Sequence, residues 1–391
     1  MTLQSPLASE IAETAEWPSV ALGEVVDILD SRRKPITKRD RVAGPYPYYG
    51  ATGILDWVEG YIFDEPLVLI GEDGAKWGAG EASAFPVSGK VWVNNHAHVM
   101  RPDRKSLLDE WLIYYLNAAD LSEFISGMTV PKLNQGRLKE IPIPIPPLDQ
   151  QKRIVAVLDQ AFAALDRARA NAEANLNDSE ELWLTTLKGV LGDLADSGRL
   201  AKVSELADHK LGKMLDKRKN KGFEKPYLRN INIRWFSVDT NDILEMKFED
   251  SERDRFLVRK GDLLICEGGY PGRAAISELD YEIFYQKALH RVRFEDPSAA
   301  RVLMYWLFLQ SETGKLTEHF TGSGIAHFTG KALANFEMPI AEPELMASAI
   351  DKLGAVRGLV KRLEEHFELR LQDLDDLRQS ILQKAFAGEL T

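Results

Sequence analysis

A chain of 391 residues with 45% hydrophobic and 28% charged residues is long enough for two or three packed domains of ordinary composition. Its single cysteine, Cys266, excludes an internal disulfide and a cysteine metal cluster, and no apolar run approaches the roughly 18 residues that a membrane span needs. The formal net charge of −11 argues against nucleic acid as a ligand, unless the cations are concentrated in a few places.

The chain begins with a polar, acidic tail, residues 1–16, which lacks the basic and then apolar pattern of a signal peptide. With the lone cysteine, this tail favours a cytoplasmic protein. Residues 17–147 predict a first mixed α/β domain, in which short β-rich runs alternate with glycine and proline turns. One stretch of this domain, about 106–126, carries leucines at helical spacing and predicts a helix.

Two long amphipathic helices are predicted at 148–198 and 343–391. The first is expected to have Asp149 as its N-cap and to be loosened at its end by Gly189, Gly192 and Gly198. Their apolar residues recur at steps of three and four, which is the pattern of a coiled-coil seam. A helix of about 45 residues is roughly 65 Å long and needs a partner to bury its apolar stripe, so the two helices are expected to pair. The chain between them leaves room for a domain and a return path, which predicts an antiparallel pair.

Residues 199–342 predict a second α/β domain that repeats the first at an offset of about 195–197 residues. The run from Leu69 to Gly74, for example, has its echo from Leu264 to Gly269. A period of half the chain is too long for a solenoid, so it predicts a duplicated domain and a duplicated helix with pseudo-twofold symmetry. Such a protein is expected to bind a ligand that has two sites.

Two cation-rich stretches occupy equivalent places in the two domains. The first contains Arg32, Arg33, Lys34, Lys38, Arg39 and Arg41. The second contains Lys210, Lys213, Lys217, Arg218, Lys219, Lys221 and Lys225. Cations in loops bind phosphates by charge and by counterion release, and their repetition in an acidic chain favours nucleic acid over the alternative, a merely solvated surface.

A glycine-rich loop follows a predicted strand in each domain, at 71–78 and at 267–273. Glycine lets a backbone approach a ligand closely, and Lys76 in the first loop or Arg273 in the second could reach a phosphate or a guanine edge. The alternative is a tight turn between two strands.

His98 and His290 occupy matching strand positions, and we interpret them as structural or DNA-contacting residues, because no set of metal ligands accompanies them. Tyr46, Tyr48 and Tyr49 form an aromatic cluster that is either part of the core or a stacking surface.

Motifs of catalysis are few. Glu245 and Lys247 have the E-x-K spacing of some nucleases, but a chain of this composition contains such triplets by chance. There is no methyltransferase tetrapeptide, nucleophile elbow or repeated carboxylate pair. The repeated features are cations, glycines and helices, so we predict a binding protein and not an enzyme. Two alternatives stay open: a coiled-coil scaffold whose α/β domains bind proteins or glycans, and a nuclease using Glu245 and Lys247.

With these features the chain, from Trp17 to Leu390, resembles the specificity subunit of type I restriction–modification systems. The most specific segments are 139–154, with its Pro146-Pro147-Leu148 run, together with 49–54 and 69–75. The second half departs from the pattern, because 338–345 lacks the Pro-Pro-Leu run and the Gln-Gln pair that follows it. This departure puts equal docking of two partners in doubt.

The resemblance implies two target recognition domains, at 17–147 and 199–342, each reading one half of a split double-stranded DNA sequence. It implies that the helix pair sets the spacing between the halves. It also implies two adenine-methylating subunits bound to this chain, and motor-nuclease subunits that join them. No cofactor is expected on this chain, whereas S-adenosylmethionine and ATP are expected on the partners. Since recognition residues vary within the family, no base contact is carried over to a residue here.

Overall fold

The computed structural model describes residues 17–127, 129–216, 218–322 and 324–390. These residues form two compact units, each made of a globular α/β part and one part of each long helix. Unit 1 comprises residues 17–174 and 367–390, and unit 2 comprises residues 175–366. The predicted fold class, two similar mixed α/β domains with two long helices, is confirmed. The division into the segments 1–16, 17–147, 148–198, 199–342 and 343–391 stays a prediction.

The elements of unit 1 before the long helix are short strands with three helices. They are β1 Ser19–Ala21, α1 Leu22–Val25, β2 Val26–Ile28, β3 Ala43–Gly50, β4 Gly53–Val58, β5 Phe63–Asp64, β6 Leu67–Gly71, β7 Ala84–Val87, β8 Lys90–Val93, β9 Ala97–Pro102, α2 Asp109–Ala118, β10 Ile125–Ser126, β11 Lys132–Leu133, α3 Gln135–Glu140 and β12 Pro142–Pro144.

Two four-stranded sheets build the globular part of unit 1, with the orders β2-β9-β6-β7 and β4-β3-β8-β5. Strand β6 is buried on both faces: Leu69 packs between the two sheets, whereas Ile70 packs toward α2 and the long helices. This double burial explains why its sequence is a continuous apolar run instead of an alternating one.

The long helix α4, Leu148–Ser197, connects unit 1 to unit 2. The elements that follow are β13 Arg199–Lys202, α5 Val203–Leu206, β14 Ala207–Leu211, β15 Phe223–Leu228, β16 Ile233–Arg234, β17 Ser237–Val238, β18 Leu244–Phe248, α6 Arg253–Phe256, β19 Leu257–Val258, β20 Leu263–Cys266, β21 Ala274–Ile276, β22 Ile283–Tyr285, β23 Leu289–Phe294, α7 Pro297–Glu312, α8 Gly330–Asn335, β24 Glu337–Ile340 and α9 Pro343–Phe386.

The four-stranded sheets of unit 2 repeat those of unit 1 strand for strand. Their orders are β14-β23-β20-β21 and β18-β15-β22-β19, and β13 pairs with β24 as β1 pairs with β12. Strand β20 is buried on both faces like β6, with Ile265 facing the helices and Cys266 facing the second sheet. The duplication inferred from sequence is therefore a duplication of topology.

The two long helices run antiparallel within each unit. In unit 1, Arg378 on α9 bonds to Asp166 on α4 at 2.8 Å, and the pair Arg169–Asp375 lies one turn further on, so that numbers rise on one helix as they fall on the other. In unit 2, the Arg357 guanidinium of α9 lies 5.7 Å from the ring centre of Trp183 on α4. The predicted antiparallel pairing is confirmed.

Three local expectations are wrong. The helix predicted at 106–126 is only Asp109–Ala118, because Ala119 is extended and a 3-10 turn, Ser122–Phe124, follows. Asp149 is not the N-cap, since α4 begins at Leu148 and the amides of Gln150 and Gln151 donate to Pro147 O. Gly189 and Gly192 do not loosen the helix, which continues to Ser197, whereas Gly198 directly follows its last residue.

Candidate nucleic-acid interface

The basic loop of unit 1 contains cations of two kinds. Lys34, Lys38 and Arg39 are exposed, and a neighbouring carboxylate, Asp40, contacts only Arg39 among them. Lys34 and Lys38 can therefore contact phosphates freely, and Arg39 would give up only an exposed ion pair. Arg32 is also at the surface, but it bonds to Ile62 O at 2.9 Å and lies over the Phe63 ring at 4.6 Å.

Arg33 and Arg41 point inward. The Arg33 Nη1 atom lies 2.5 Å from Glu72 Oε2 and 2.7 Å from Ala97 O, and its side chain is 13% exposed. Arg41 lies over the Tyr48 ring at 4.5 Å and bonds to Asp56 at 3.1 Å. These two arginines therefore fix the loop to the sheets, which gives them a structural role alongside any phosphate contact.

A buried ionic cluster links four segments of unit 1; we define it as Asp30, Arg33, Glu72, His98 and Lys132. His98 Nδ1 lies 2.5 Å from Asp30 Oδ2, and Lys132 Nζ lies 2.8 Å from Glu72 Oε1. Burial alone would raise the pKa of Asp30, but the hydrogen bond and charge of His98 hold it below its ordinary value. Burial likewise opposes ionisation of Glu72, and the bonds from Lys132 and Arg33 outweigh it, so its pKa is lowered.

Within the described residues, Asp30, Glu72 and His98 form a group whose ligand atoms all lie within 4.8 Å of one another, close enough for a metal ion. Arg33 and Lys132 already contact the carboxylates, however, and a metal ion would have to displace these cations. The arrangement therefore favours an ion-pair cluster that holds the basic loop, the glycine loop and strand β9 together.

The two histidines of the repeat share one contact and differ in the other. His98 Nε2 bonds to Leu133 O at 2.7 Å, and His290 Nε2 bonds to Phe328 O at 2.8 Å. Each histidine thus ties its sheet to the glycine-containing turn, defined as the segment that follows Gly127 in unit 1 and Gly322 in unit 2. His290 Nδ1 has no hydrogen-bond partner among the described residues, whereas His98 has Asp30. Burial lowers the pKa of His290 to about 4. Both rings are buried, which favours the structural interpretation over a DNA contact.

The glycine loops also divide into exposed and internal cations. Lys76 is exposed and 3.7 Å from Glu81, and Trp77 fixes the loop beneath it through a 2.9 Å bond from Nε1 to Gly71 O. Arg273 lies over the Tyr270 ring at 3.9 Å and donates to Asn230 O at 3.0 Å. Lys76 can thus reach a ligand as the structure stands, while Arg273 supports its own loop.

The basic loop of unit 2 is mostly at the surface. Arg218, Lys219 and Lys221 are exposed, and the Asp216 carboxylate shapes the loop by accepting from the amides of 218 and 219. Two lysines of this stretch have internal partners instead: Lys213 Nζ lies 2.5 Å from Glu252 and 2.9 Å from Lys247 O, and the half-buried Lys225 pairs with Glu282 at 2.9 Å. Lys217 lies outside the described residues.

The E-x-K triplet lies on strand β18, where Glu245 and Lys247 are both exposed and Met246 is buried. Glu245 belongs to none of the clusters of potential metal ligands found among the described residues, so a nuclease centre gains no support. Of the tyrosines, Tyr48 is buried beneath the basic loop, and Tyr49 stacks on Phe85 with centroids 6.0 Å apart. These contacts favour core packing.

Sequence reasoning missed the exposed apolar side chains of strand β4, among them Leu55 and Trp57. A signal was available, because Ile54 and Leu55 are adjacent, whereas a half-buried strand alternates apolar with polar residues. Among the described residues, no helix is long and apolar enough to cross a membrane.

Residues 14–175 match the model of the type I restriction modification DNA specificity domain. The chain is similar to a type I restriction enzyme specificity subunit of Haemophilus influenzae, with 28% identity over 347 residues, 88% of this chain and 89% of the relative. It is also similar to the EcoKI specificity subunit of Escherichia coli K12, with 24% identity over 366 residues, 84% of this chain and 76% of the relative.

Among solved structures, a chain from a study of complex assembly and conformational transition of the type I R-M system is similar to this one. The TM-score is 0.71 at 20% identity, covering 95% of this chain and 98% of the other. The HsdS subunit from Thermoanaerobacter tengcongensis has a TM-score of 0.53 at 19% identity, covering 95% and 97%. At these identities the likeness concerns the fold.

Proposed function

The chain belongs to the family of type I restriction–modification specificity subunits, which are recognition and not catalytic components, and from this premise we propose how it recognises DNA. Each globular α/β part reads one half of a bipartite sequence in double-stranded DNA. The exposed cations of the basic loops contact phosphates and set position, whereas other side chains contact base edges and set specificity. The long helices fix the spacing between the two half-sites.

The proposal rests most directly on one observation. The two units have the same strand orders, and each presents exposed cations in the loop after the first strand of a four-stranded sheet, β2 in unit 1 and β14 in unit 2. In unit 1 these are Lys34, Lys38 and Arg39, and in unit 2 they are Arg218, Lys219 and Lys221. The phosphates of a DNA duplex recur along its axis, so two loops with exposed cations can contact one duplex at two places. Two DNA-reading units on one chain fix the separation of two half-sites, as the two subunits of a dimeric repressor do.

The long helices also offer docking surfaces. In unit 1 they leave Val157, Leu369 and Leu377 exposed, and in unit 2 they leave Leu182, Leu345 and Leu359 exposed. Exposed apolar side chains on a helix pair are typical of a surface that packs against further helices. We propose that two methyltransferase subunits bind there, that motor-nuclease subunits join through them, and that S-adenosylmethionine and ATP bind to those partners in the cytoplasm.

The two docking surfaces need not be equivalent. In unit 1, Gln151 on α4 is buried; it accepts from the amide of Leu108 at the start of α2 and donates to Pro146 O. In unit 2, α7 is capped by its own Asp296, which accepts from the amide of Ser298. Gln151, the second residue of the Gln-Gln pair that the second half lacks, thus has a local structural use in the first half.

The net charge of −11 bears on affinity. Because an acidic chain repels the duplex outside its basic loops, we expect weak DNA binding by the chain alone and tight binding once partner subunits contribute cations. The experiment is to tag the chain, purify it with and without a co-expressed methyltransferase subunit, and titrate both preparations with target duplex. Co-purification and a large gain in affinity support the proposal. Nanomolar, sequence-specific binding by the lone chain would contradict it.

A further inference from the structure

An edge strand of the sheet β4-β3-β8-β5 in unit 1 exposes apolar side chains. Strand β4 is last in the order β4-β3-β8-β5, and on it Ile54, Leu55 and Trp57 are 48%, 54% and 52% exposed. Edge strands normally avoid exposed apolar residues, because they invite unwanted pairing. An exposed tryptophan on such an edge strand therefore indicates a binding surface.

The corresponding edge strand in unit 2 displays charges. Strand β18 lies at the edge of the sheet β18-β15-β22-β19. Glu245 and Lys247 are exposed on it, and Met246 between them is buried. Neither side chain has a hydrogen-bond or ion-pair partner among the described residues of the chain. With Leu215, Asn220 and Glu224, they line a groove of about 500 Å³.

The two edge strands lie where the halves of the chain differ most in sequence. The halves diverge at 35–66 and at 221–256, and these segments contain the strand pairs β3–β4 and β15–β18. The sheets around them keep the same strand order in both units. A common framework therefore carries two different surfaces at the same place, as expected of elements that recognise different sequences.

We propose that the strand pairs β3–β4 and β15–β18 enter the major groove and read the bases of the two half-sites; this inference rests on the function proposed above. The major groove admits a two-stranded β-ribbon. Unit 1 reads by apolar contact, with Leu55 and Trp57 against thymine methyl groups. Unit 2 reads by hydrogen bonds, with Glu245 accepting from an amino group of cytosine and Lys247 donating to the acceptors of guanine.

The basic loops hold these strand pairs in place. Arg41 bonds to Asp56 on β4 and lies over Tyr48 on β3, and Lys213 donates to the backbone of Lys247 on β18. Phosphate contacts by the rest of each loop would thereby set the register of the reading strand directly. This linkage gives the inward-facing cations Arg41 and Lys213 a use in recognition.

The test uses the full chain expressed with its partner subunits, and it reads methylated motifs in genomic DNA by single-molecule sequencing. One variant is Trp57→Ala and another is Lys247→Met. Each serves as the control for the other, and Lys315→Met, on an exposed 3-10 turn of unit 2, is the matched control for loss of a lysine.

We expect each variant to relax one or two positions in one half-site only, with discrimination there falling roughly tenfold and with spacer and other half unchanged. Lys315→Met should leave the motif intact. An unchanged motif in both strand variants overturns the inference. If a variant loses methylation altogether, competition between target and singly mismatched duplexes decides: uniform discrimination at every position also overturns it, and a drop confined to one half supports it.

The motif methylated with the wild-type chain distinguishes failure of the proposed function from failure of the strand assignment. If it directs methylation of no bipartite motif, the proposed function fails. If it directs one and the strand variants leave it untouched, only the assignment of the reading strands fails.

Discussion

Replacing Arg33 by methionine should destabilise unit 1 far more than the same change at its neighbour Arg32. Arg33 is 13% exposed and contacts both Asp30 and Glu72, whereas Arg32 is 47% exposed and pairs with Glu65 at 3.5 Å. Removing one partner of a buried ion pair costs about 3–5 kcal/mol. Because Glu72 keeps Lys132 and Asp30 keeps His98, we expect the lower end, about 3 kcal/mol.

The cost of Arg33→Met should depend on pH. The charge of Arg33 contributes to the lowered pKa values of Asp30 and Glu72, so its stabilising effect is present above the ordinary carboxyl pKa of about 4. It is lost as the pH falls through the lowered folded values, because both carboxyl groups then become neutral. The difference from wild type should be full at neutral pH and should shrink as the pH falls below the ordinary carboxyl values of about 4.

Hydrogen exchange gives the measurement, because it reports the two units separately where a single unfolding transition would not. At neutral pH the amides of β6 in unit 1 should exchange more than a hundredfold faster in Arg33→Met, and those of β20 in unit 2 should be unchanged. Arg32→Met should change the free energy of opening at the β6 amides by no more than about 1 kcal/mol, the usual limit for a surface ion pair. Equal acceleration in both variants would refute the reasoning.

Three further outcomes follow. Insertion of four helical residues near 172 in α4 and near 367 in α9 adds about 6 Å to each helix. Sequencing of methylated motifs should then show a spacer between the half-sites that is longer by one or two base pairs. Altered half-site sequences would contradict the roles assigned to the helices and the domains. The pKa of His290 is lowered to about 4 in the folded chain, against about 6.5 in the unfolded chain, so unit 2 should lose stability as the pH falls from 6.5 toward 4. Urea titrations at pH 7 and pH 5 should show that His290→Gln abolishes much of this loss. Burial raises the pKa of Cys266 to about 11, so a disulfide reagent should label the native thiol only at the rate of unfolding, and rapid labelling at pH 8 would contradict its burial.

The long-range pattern of this chain was predictable because it rests on periodicity. The apolar steps of α4 and α9 extend over more than forty residues, and α9 repeats the pattern of α4. Helix ends were less predictable, since they depend on single contacts. The leucine spacing after Leu116 continues, for example, but the backbone turns at Ala119 to bring Phe124 into the core.

Which cations face DNA could not be deduced from the sequence. Arg33 and Lys213 belong to the same basic loops as Lys38 and Lys219, yet each turns inward to a carboxylate 39 residues away, Glu72 or Glu252. Only the folded sheets bring those carboxylates near. The DNA-contacting role of the loop cations therefore stays a prediction, now focused on the exposed ones.

The two histidines show the same limit. Their matching positions were visible in sequence, and their shared bond to the glycine-containing turn follows from the duplicated topology. Their difference depends on Asp30, which reaches His98 across 68 residues. No local pattern indicates that the second unit leaves His290 without such a partner.

The most direct test of the central claim is single-molecule sequencing of methylated bases in host DNA, with the gene present and with it deleted. Recognition of a bipartite target by the two units predicts that methyladenine disappears from one split motif on deletion and returns on complementation. An identical set of methylated motifs in both strains, with the chain and its methyltransferase subunit expressed in the undeleted strain, would contradict the account.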